Sequence, residues 1–301
     1  MKILVTGSIG QLGSELRFLS ASRPGDSFLF VDLDELDITD APAVDRLMAK
    51  EQPDVCINCA AYTAVDKAET EAAIAFKVNA EGPENLIQSC NRYNALFIHI
   101  STDFVFDGAA TKPYKTNDEV RPSSVYGASK AEGEARVLLL GKRFYLLRTS
   151  WVYSSYGNNF VKTMIRLGKE RATINVVDDQ RGRPTYARDL AAAILEFVDG
   201  ETEIPYGLYH YSNTGEATWF ELASEVMKAY DLACNVLPIP TTAYPTPAKR
   251  PAFSVLDLSE TQALNRISLL DWKESLYKCI SILKQNEQQI YETNMFFQPW
   301  K

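Results

Sequence analysis

The stretch "VTGSIGQLGSEL", residues 5–16, decides how this chain folds. It sets Gly7, Gly10 and Gly13 directly after a short apolar run, "KILVTG", and at the head of a segment with helical spacing, "QLGSELRFLSA". A turn between strand and helix uses glycine for three geometric reasons. It opens positive φ, lets the backbone approach a pyrophosphate, and lets the helix pack close on the strand. The helix start then offers free N–H groups and a partial positive charge to phosphates. The spacing is GxxGxxG, not the GxGxxG of the basic dinucleotide fingerprint, but strand, turn and helix come in the order that fingerprint needs. The stretch therefore predicts a dinucleotide site at the end of the first strand of a βαβ frame.

Downstream the same rhythm repeats. "SFLFVD", "DVCINCAA", "ALFIHIST" and "RFYLLRTS" are apolar runs of strand length without polar alternation, the mark of strands buried on both faces. Between them lie helical stretches: "APAVDRLMAKEQ" with Asp40 as N-cap, residues 69–93, and "SSVYGASKAEGEARVLLL". This alternation predicts an α/β chain with a Rossmann-type, doubly wound parallel sheet. After Trp151 the pattern loosens into helices near residues 159–170, 187–198 and 218–230, strands at "TINVVDD" and "GLYHYS", and the proline-rich "LPIPTTAYPTPAKRP". Prolines break regular structure, so this last stretch is expected to be extended or looped. The expected division is an NAD(P)-binding domain over 1–150 and a smaller, substrate-binding C-terminal lobe over 151–301, with some segments returning to the main sheet.

The 301 residues, 46% of them hydrophobic, suffice for a large core. A net charge of −8 argues against nucleic acid and anionic membranes as partners. The chain runs from Met1 straight into a strand, with no cleavable leader pattern and no stretch near the roughly 20 apolar residues of a membrane span. A cytoplasmic protein is expected. Cys56 and Cys59 have CxxC spacing but fall on a predicted strand. There is no second ligand pair, and His99 and His210 are the only histidines, so both cysteines read as core, both histidines as structural, and no metal is expected.

Asp32 closes the second strand, 25 positions after Gly7. A carboxylate there accepts hydrogen bonds from a ribose and repels a 2′-phosphate, which favours NAD(H) over NADP(H). The competing reading is a solvated strand end, since "DLDELDITD" is rich in carboxylates. Tyr126 and Lys130 stand one helical turn apart and share a face. An ammonium near a phenol favours the phenolate, and bringing tyrosine towards neutrality takes about three units, roughly 4 kcal/mol. A phenol so tuned gives its proton to a carbonyl oxygen as hydride reaches the carbon. With 15 tyrosines in the chain, one YxxxK is expected by chance, so the pair gains meaning from its place after "STDFVFDG" on the fourth strand. Arg250, beside Lys249 in the proline-rich segment, is a candidate for a substrate diphosphate.

Several longer motifs are more specific: "TGSIGQLG" (6–13), "AAYTAVDKAE" (60–69), "STDFVFDG" (101–108), "VYGASKAEGE" (125–134), "RTSWVY" (148–153), "GNNF" (157–160), "DDQRGRPT" (178–185) and "AYPTPAKRP" (243–251). In these the chain resembles the extended short-chain dehydrogenases/reductases, and within them the dTDP-4-dehydrorhamnose reductase family, over nearly its whole length. The resemblance implies Tyr126 as proton donor, Lys130 on the nicotinamide ribose and Thr102 polarising the sugar carbonyl. It further implies Thr102, Asp103 and Trp151 against a dTDP-sugar substrate, and Gly10, Gln11 and Leu12 along the cofactor pyrophosphate. Asp37 and Ile38 match the adenine-side pair, and Ala61, Tyr62 and Thr63 the loop after the third strand. The family often takes NADPH and sometimes NADH, so either NADP or NAD is the expected cofactor, in reduced form.

Two departures stand out. "RPAFS" carries Phe253 where the family usually has asparagine. Some family members are Mg²⁺-bridged dimers, and of the two matching positions this chain keeps Glu15 but has Arg188, next to Asp189, in "PTYARDLA". A guanidinium cannot ligate Mg²⁺ but can form a salt bridge to Glu15, expected to be exposed and weak, so a monomer or weak homodimer follows. Other functions of the superfamily remain open at this point. A dehydratase needs a glutamate after Asp103, where Phe104 stands, so dehydration is disfavoured. A nucleotide-sugar 4-epimerase could use Tyr126 and Thr102 equally. A non-catalytic dinucleotide-binding subunit resembling that of methionine adenosyltransferase is the third reading, against which Trp151 and "GNNF" count.

Overall fold

The computed structural model describes residues 1–296, so residues 297–301 of the expected second lobe lie outside it. The first half alternates strands and helices. β1 (Lys2–Thr6), α1 (Gln11–Ser20), β2 (Ser27–Phe30), α2 (Ala41–Glu51) and β3 (Val55–Asn58) come first. Asp40 caps α2 as expected, its side chain accepting from the Ala43 N–H at 3.0 Å. The single helix expected over residues 69–93 is instead α3 (Val65–Ala68), α4 (Ala72–Phe76), a π-turn over Lys77–Glu81 and α5 (Gly82–Tyr93). Pro83 accounts for the break. It has no N–H for the ladder, and the Gly82 N–H reaches five residues back to the Lys77 carbonyl. β4 (Leu96–Thr102), α6 (Val125–Leu140) and β5 (Phe144–Thr149) complete this half.

The second half holds β6 (Val152–Tyr153), α7 (Phe160–Glu170), β7 (Thr173–Val177), β8 (Arg181–Gly182), β9 (Thr185–Tyr186) and α8 (Ala187–Asp199). Then come β10 (Gly207–His210), β11 (Ala217–Thr218), α9 (Trp219–Tyr230), β12 (Asn235–Ile239), α10 (Ser259–Ala263) and α11 (Trp272–Phe296). The start of the proline-rich stretch is thus extended, as part of β12. β12 pairs only with β7, in parallel, so Pro238 sits in a two-stranded sheet where its missing N–H costs no second ladder.

The main sheet runs β10-β5-β4-β3-β1-β2 and every pairing is parallel. The chain leaves β1 for β2 on one side and returns to β3 on the other. That reversal opens a crevice at the carboxyl ends of the strands, the place where such sheets bind ligands. One face is covered by apolar side chains of α2, α5 and α6, among them Val44, Met48, Leu86, Ile87 and Val137. The other is covered by α1 and α8, through Leu12, Leu16, Leu190 and Ile194. A separate core joins α7, β7, α9 and α11, where Val161, Ile174, Val226, Leu276 and Ile280 meet. From the second half of the chain, β10 joins the main sheet and α8 packs on it.

All five cysteines are free, and all but the half-buried Cys59 are buried. Both histidines are fully enclosed. His210 faces the Asp257 carbonyl at 3.1 Å, the Arg148 guanidinium at 3.5 Å and the Phe106 ring edge. Burial first, then the Arg148 charge, hold its pKa down to about 3. The folded protein therefore keeps this ring neutral while the unfolded chain protonates it below about 6.5, so stability falls as pH drops through that window. His99 acts in the same direction, also through burial. Between about pH 7.5 and about pH 5, His210→Gln should lose about 2 kcal/mol less stability than the wild type in chemical denaturation. The same pH dependence in both proteins would refute this.

Candidate active site

A cleft of about 1600 Å³ opens over the carboxyl ends of the main sheet and runs on between α7, β7 and the loop after β12. It is lined by every residue the sequence singled out for cofactor, catalysis or substrate except Gly13, which sits behind the turn. Gly7 has φ +63°, and a Cβ there would come within 2.5 Å of the Ala60 backbone nitrogen. A Cβ on Gly13 would come within 2.4 Å of the Gly7 carbonyl oxygen and 2.6 Å of Ser8 Cα. Gly10 begins α1 with no side-chain cap, so no protein side chain covers that helix start. These close backbone approaches fit the pyrophosphate of a dinucleotide lying across Gly10, Gln11 and Leu12.

Asp32 lines the same end. One carboxylate oxygen accepts from the Ile9 N–H at 2.9 Å and the other from the Leu33 N–H at 2.9 Å. The group braces the glycine turn as well as facing the cleft. Asp37 is turned onto Thr39, accepting from its N–H and hydroxyl, and these bonds hold its pKa down. Ile38 is buried, and a Cβ added at Gly82 would strike its Cδ1 at 2.5 Å.

Asn79 was not anticipated from sequence. Its side chain accepts from the Tyr62 N–H at 2.8 Å and donates to the Tyr62 carbonyl and the Ser129 hydroxyl, each at 3.0 Å. It ties the loop carrying Ala61, Tyr62 and Thr63 to α6. The available signal was a polar residue inside a helical run shortly before a proline. The Tyr62 hydroxyl donates to Glu71 at 2.5 Å, which raises its own pKa.

Ser124 starts α6, accepting from the Gly127 N–H at 3.1 Å, and so places Tyr126 and Lys130 on its first turns. The Tyr126 ring meets Phe104 edge-on at 5.5 Å. Burial pushes its phenol up to about 12, and the Asp103 charge adds to this, while the Thr102 hydroxyl opposes it. The protein's own groups thus hold the phenol above its ordinary value. Lys130 is buried and donates to the Ile100 carbonyl at 2.7 Å. Burial lowers its own pKa to about 8, against the pull of Glu134. Thr102 ends β4, donates to Asp103 at 3.0 Å and caps the next turn at the Phe104 N–H. Burial lifts the Asp103 carboxyl to about 6, with bonds from Ser254 and Thr102 opposing.

Trp151 has φ +50°, a left-handed conformation that costs a non-glycine residue about 1–2 kcal/mol. Its indole stacks on Trp219 with ring centroids 3.6 Å apart and planes within 5°, an arrangement that returns about 0.5–1.5 kcal/mol. Arg250 lines the cleft but donates to Asp66 of α3 at 2.8 Å, which anchors the proline-rich loop to the first half of the chain. Phe253 packs with Tyr114 and Leu256 in a small cluster of its own. The Glu15–Arg188 pair forms at 2.7 Å, but it is not the exposed contact expected. Glu15 is fully buried between α1 and α8 and also accepts from the Ser154 hydroxyl at 2.6 Å. Among the described residues no group of three or more His, Cys, Asp or Glu could hold a metal.

A parallel doubly wound sheet with a phosphate turn at one end of the cleft and a tyrosine–lysine–threonine group at the other defines a Rossmann-type short-chain dehydrogenase/reductase. The model of the RmlD substrate binding domain matches residues 1–285, and the chain belongs to that family. It is 41% identical to a dTDP-4-dehydrorhamnose reductase of Aggregatibacter actinomycetemcomitans, over 91% of this chain and 97% of the relative. A crystal structure of a dTDP-4-dehydrorhamnose reductase from Clostridium acetobutylicum superposes with a TM-score of 0.91 at 42% identity, over 94% of this chain and all of the other. The enzyme of the same name from Bacillus anthracis, solved in complex with NADP, gives 0.89 at 38% identity, over 92% and 98%.

The clash at Gly13 is with backbone, which cannot swing aside as a side chain can. Gly13→Ala should therefore weaken dinucleotide binding by about tenfold or more, read by calorimetric titration with NADPH, while far-ultraviolet circular dichroism stays native. Wild-type affinity in that variant would remove Gly13 from the turn's design.

Proposed function

We propose that the protein reduces the 4-keto group of dTDP-4-dehydro-6-deoxy-L-mannose with NADPH or NADH, giving dTDP-L-rhamnose. The observation that carries this reading is the gathering of Thr102, Tyr126 and Lys130 in the same cleft as the glycine turn, with room left for a nucleotide sugar. The bound reduced nicotinamide supplies hydride. Tyr126 holds the proton that the carbonyl oxygen takes up, and its high pKa keeps the phenol protonated across the neutral range. Thr102, pinned at the end of β4, turns its hydroxyl proton from Asp103 to the same oxygen. Lys130 holds the nicotinamide ribose, fixed at the right depth by its bond to the Ile100 carbonyl. Asp103 and Trp151 contact the sugar, and Arg250 exchanges Asp66 for the diphosphate. NADPH is the preferred donor in this reading, supported by the NADP complex of the Bacillus anthracis relative. No helix among the described residues is long and apolar enough to cross a membrane, and we place the reaction in the cytoplasm.

The test supplies dTDP-4-keto-6-deoxyglucose with its 3,5-epimerase and follows loss of NADPH and NADH by absorbance, with product identified by chromatography. Tyr126→Phe should lose at least about a hundredfold in turnover while keeping cofactor affinity. Near-normal turnover would take Tyr126 out of the mechanism. Reduction without the epimerase would make the unepimerised keto sugar the substrate, and interconversion of a 4-hydroxy nucleotide sugar with its 4-epimer, with no net change in cofactor, would replace reduction by epimerisation.

The Glu15–Arg188 pair also bears on assembly. With Arg188 committed to Glu15, we propose a monomer or weak dimer that needs no bridging cation. Sedimentation and initial rate should be unchanged by excess chelator or by added Mg²⁺. A chelator-sensitive dimer would overturn this.

A further inference from the structure

Trp219 opens α9, far in sequence from every motif that reads as catalytic, yet it lines the cleft. Its indole lies flat on that of Trp151. Its ring nitrogen donates to Gln180 at 3.1 Å, and Gln180, itself buried, donates onward to the Thr241 hydroxyl at 2.9 Å. Thr241 is bound through its N–H and hydroxyl to Asp179. Thr218, just before Trp219, closes a capping box with Glu221 and donates to Asp178 at 2.6 Å. The Asp178–Asp179–Gln180 turn thus grips Trp219 from two sides. Phe160 meets it at 4.7 Å on a tilt. Trp151 has no comparable polar anchor on its ring. Its backbone is held in a left-handed conformation, and a Cβ at Gly182 would reach within 2.5 Å of its ring. Trp219 covers one face of that ring, Gly182 crowds its pyrrole side, and what remains of the indole faces the cleft.

We infer that Trp219 is a positioning and specificity residue: anchored by Gln180, it holds the Trp151 indole at the angle at which that ring contacts the 6-deoxyhexose of the nucleotide sugar. The inference rests on the reductase reading above and deepens it. The face of an indole offers apolar surface to the C–H face and methyl group of a deoxy sugar and no hydrogen-bonding group to the hydroxymethyl of another sugar. The contribution is therefore to the hexose and not to the nucleoside diphosphate or the cofactor.

The experiment compares the wild type with Trp219→Leu and Trp219→Phe. Expected for Trp219→Leu are a KM for the keto-sugar nucleotide raised about tenfold, the loss of one stacking contact, and kcat within about threefold. Inhibition by dTDP and affinity for NADPH should stay at wild-type values, and the exciton couplet of the stacked indoles should vanish from the circular dichroism spectrum. Trp219→Phe, which keeps a ring against Trp151, should recover most of the KM while lacking the couplet. An unchanged KM in a folded variant without the couplet overturns the inference, as does a loss of dTDP inhibition in step with KM. If Trp219→Leu does not fold, the rise in KM must appear, smaller but selective for the sugar, in Trp219→Phe, and its absence there also overturns it. A wild type that does not turn over the keto sugar removes the reductase reading. A wild type that does, beside an indifferent Trp219→Leu, removes the positioning role alone.

Discussion

Arg148 and Glu134 face each other in the interior, each only 2% exposed. The guanidinium reaches the carboxylate through Nε at 3.0 Å and Nη2 at 2.7 Å, and its third nitrogen donates to the Thr116 carbonyl at 3.1 Å. Burying two charges is expensive, and a pair of this geometry only offsets that cost. Removing one partner strands the other and costs about 3–5 kcal/mol. What the pair fixes is position. Arg148 lies on β5 in register with Ser101 of β4, one residue before Thr102. Glu134 lies on α6, one turn beyond Lys130. The ion pair therefore fixes the helix that carries Tyr126 and Lys130 against the strand that carries Thr102.

The same enclosure shapes the chemistry. Lys130, Asp103 and Tyr126 all shift in the direction that disfavours their charged forms, burial being the first cause each time. A site that donates a proton to a forming alkoxide uses the phenol in its neutral state, so a raised phenol pKa suits reduction. Glu134 keeps part of the charge on Lys130 in a place where solvent cannot. The ion pair thus acts on the titration of the site as well as on its geometry.

Much of this was legible in the sequence, for reasons specific to particular residues. The glycine turn is local: Gly7, Gly10 and Gly13 have meaning within one strand and one helix. The buried strands announce themselves by unbroken apolar runs. Trp219, Asn79 and the partner of Arg250 were not legible, because their roles arise between segments distant in the chain. Asp66 lies 184 residues from Arg250, and Trp219 meets Trp151 only after α9 has docked. α11 carried a signal that went unread, since Trp272, Leu276, Cys279, Ile280 and Leu283 repeat at helical spacing towards one core. The direction of the Tyr126 shift was out of reach for a different reason: spacing gives the sign of the lysine's influence but not the desolvation that opposes it.

Two further contacts join the cofactor turn to the second half of the chain. Asn159 caps α7 and donates to the Gln11 side chain at 3.0 Å, and Ser154 donates to Glu15 at 2.6 Å. Both acceptors lie on the first turns of α1, the helix whose start faces the phosphates. The segment between Ser154 and Asn159 follows β6 and begins three residues beyond Trp151. These short hydrogen bonds join α1 to the backbone that sets the indole wall. Arg188 stiffens the same joint by holding Glu15 from α8. A cation bridging two chains would occupy that carboxylate from outside the subunit. Here the guanidinium holds it from within the fold, tying α1 to α8.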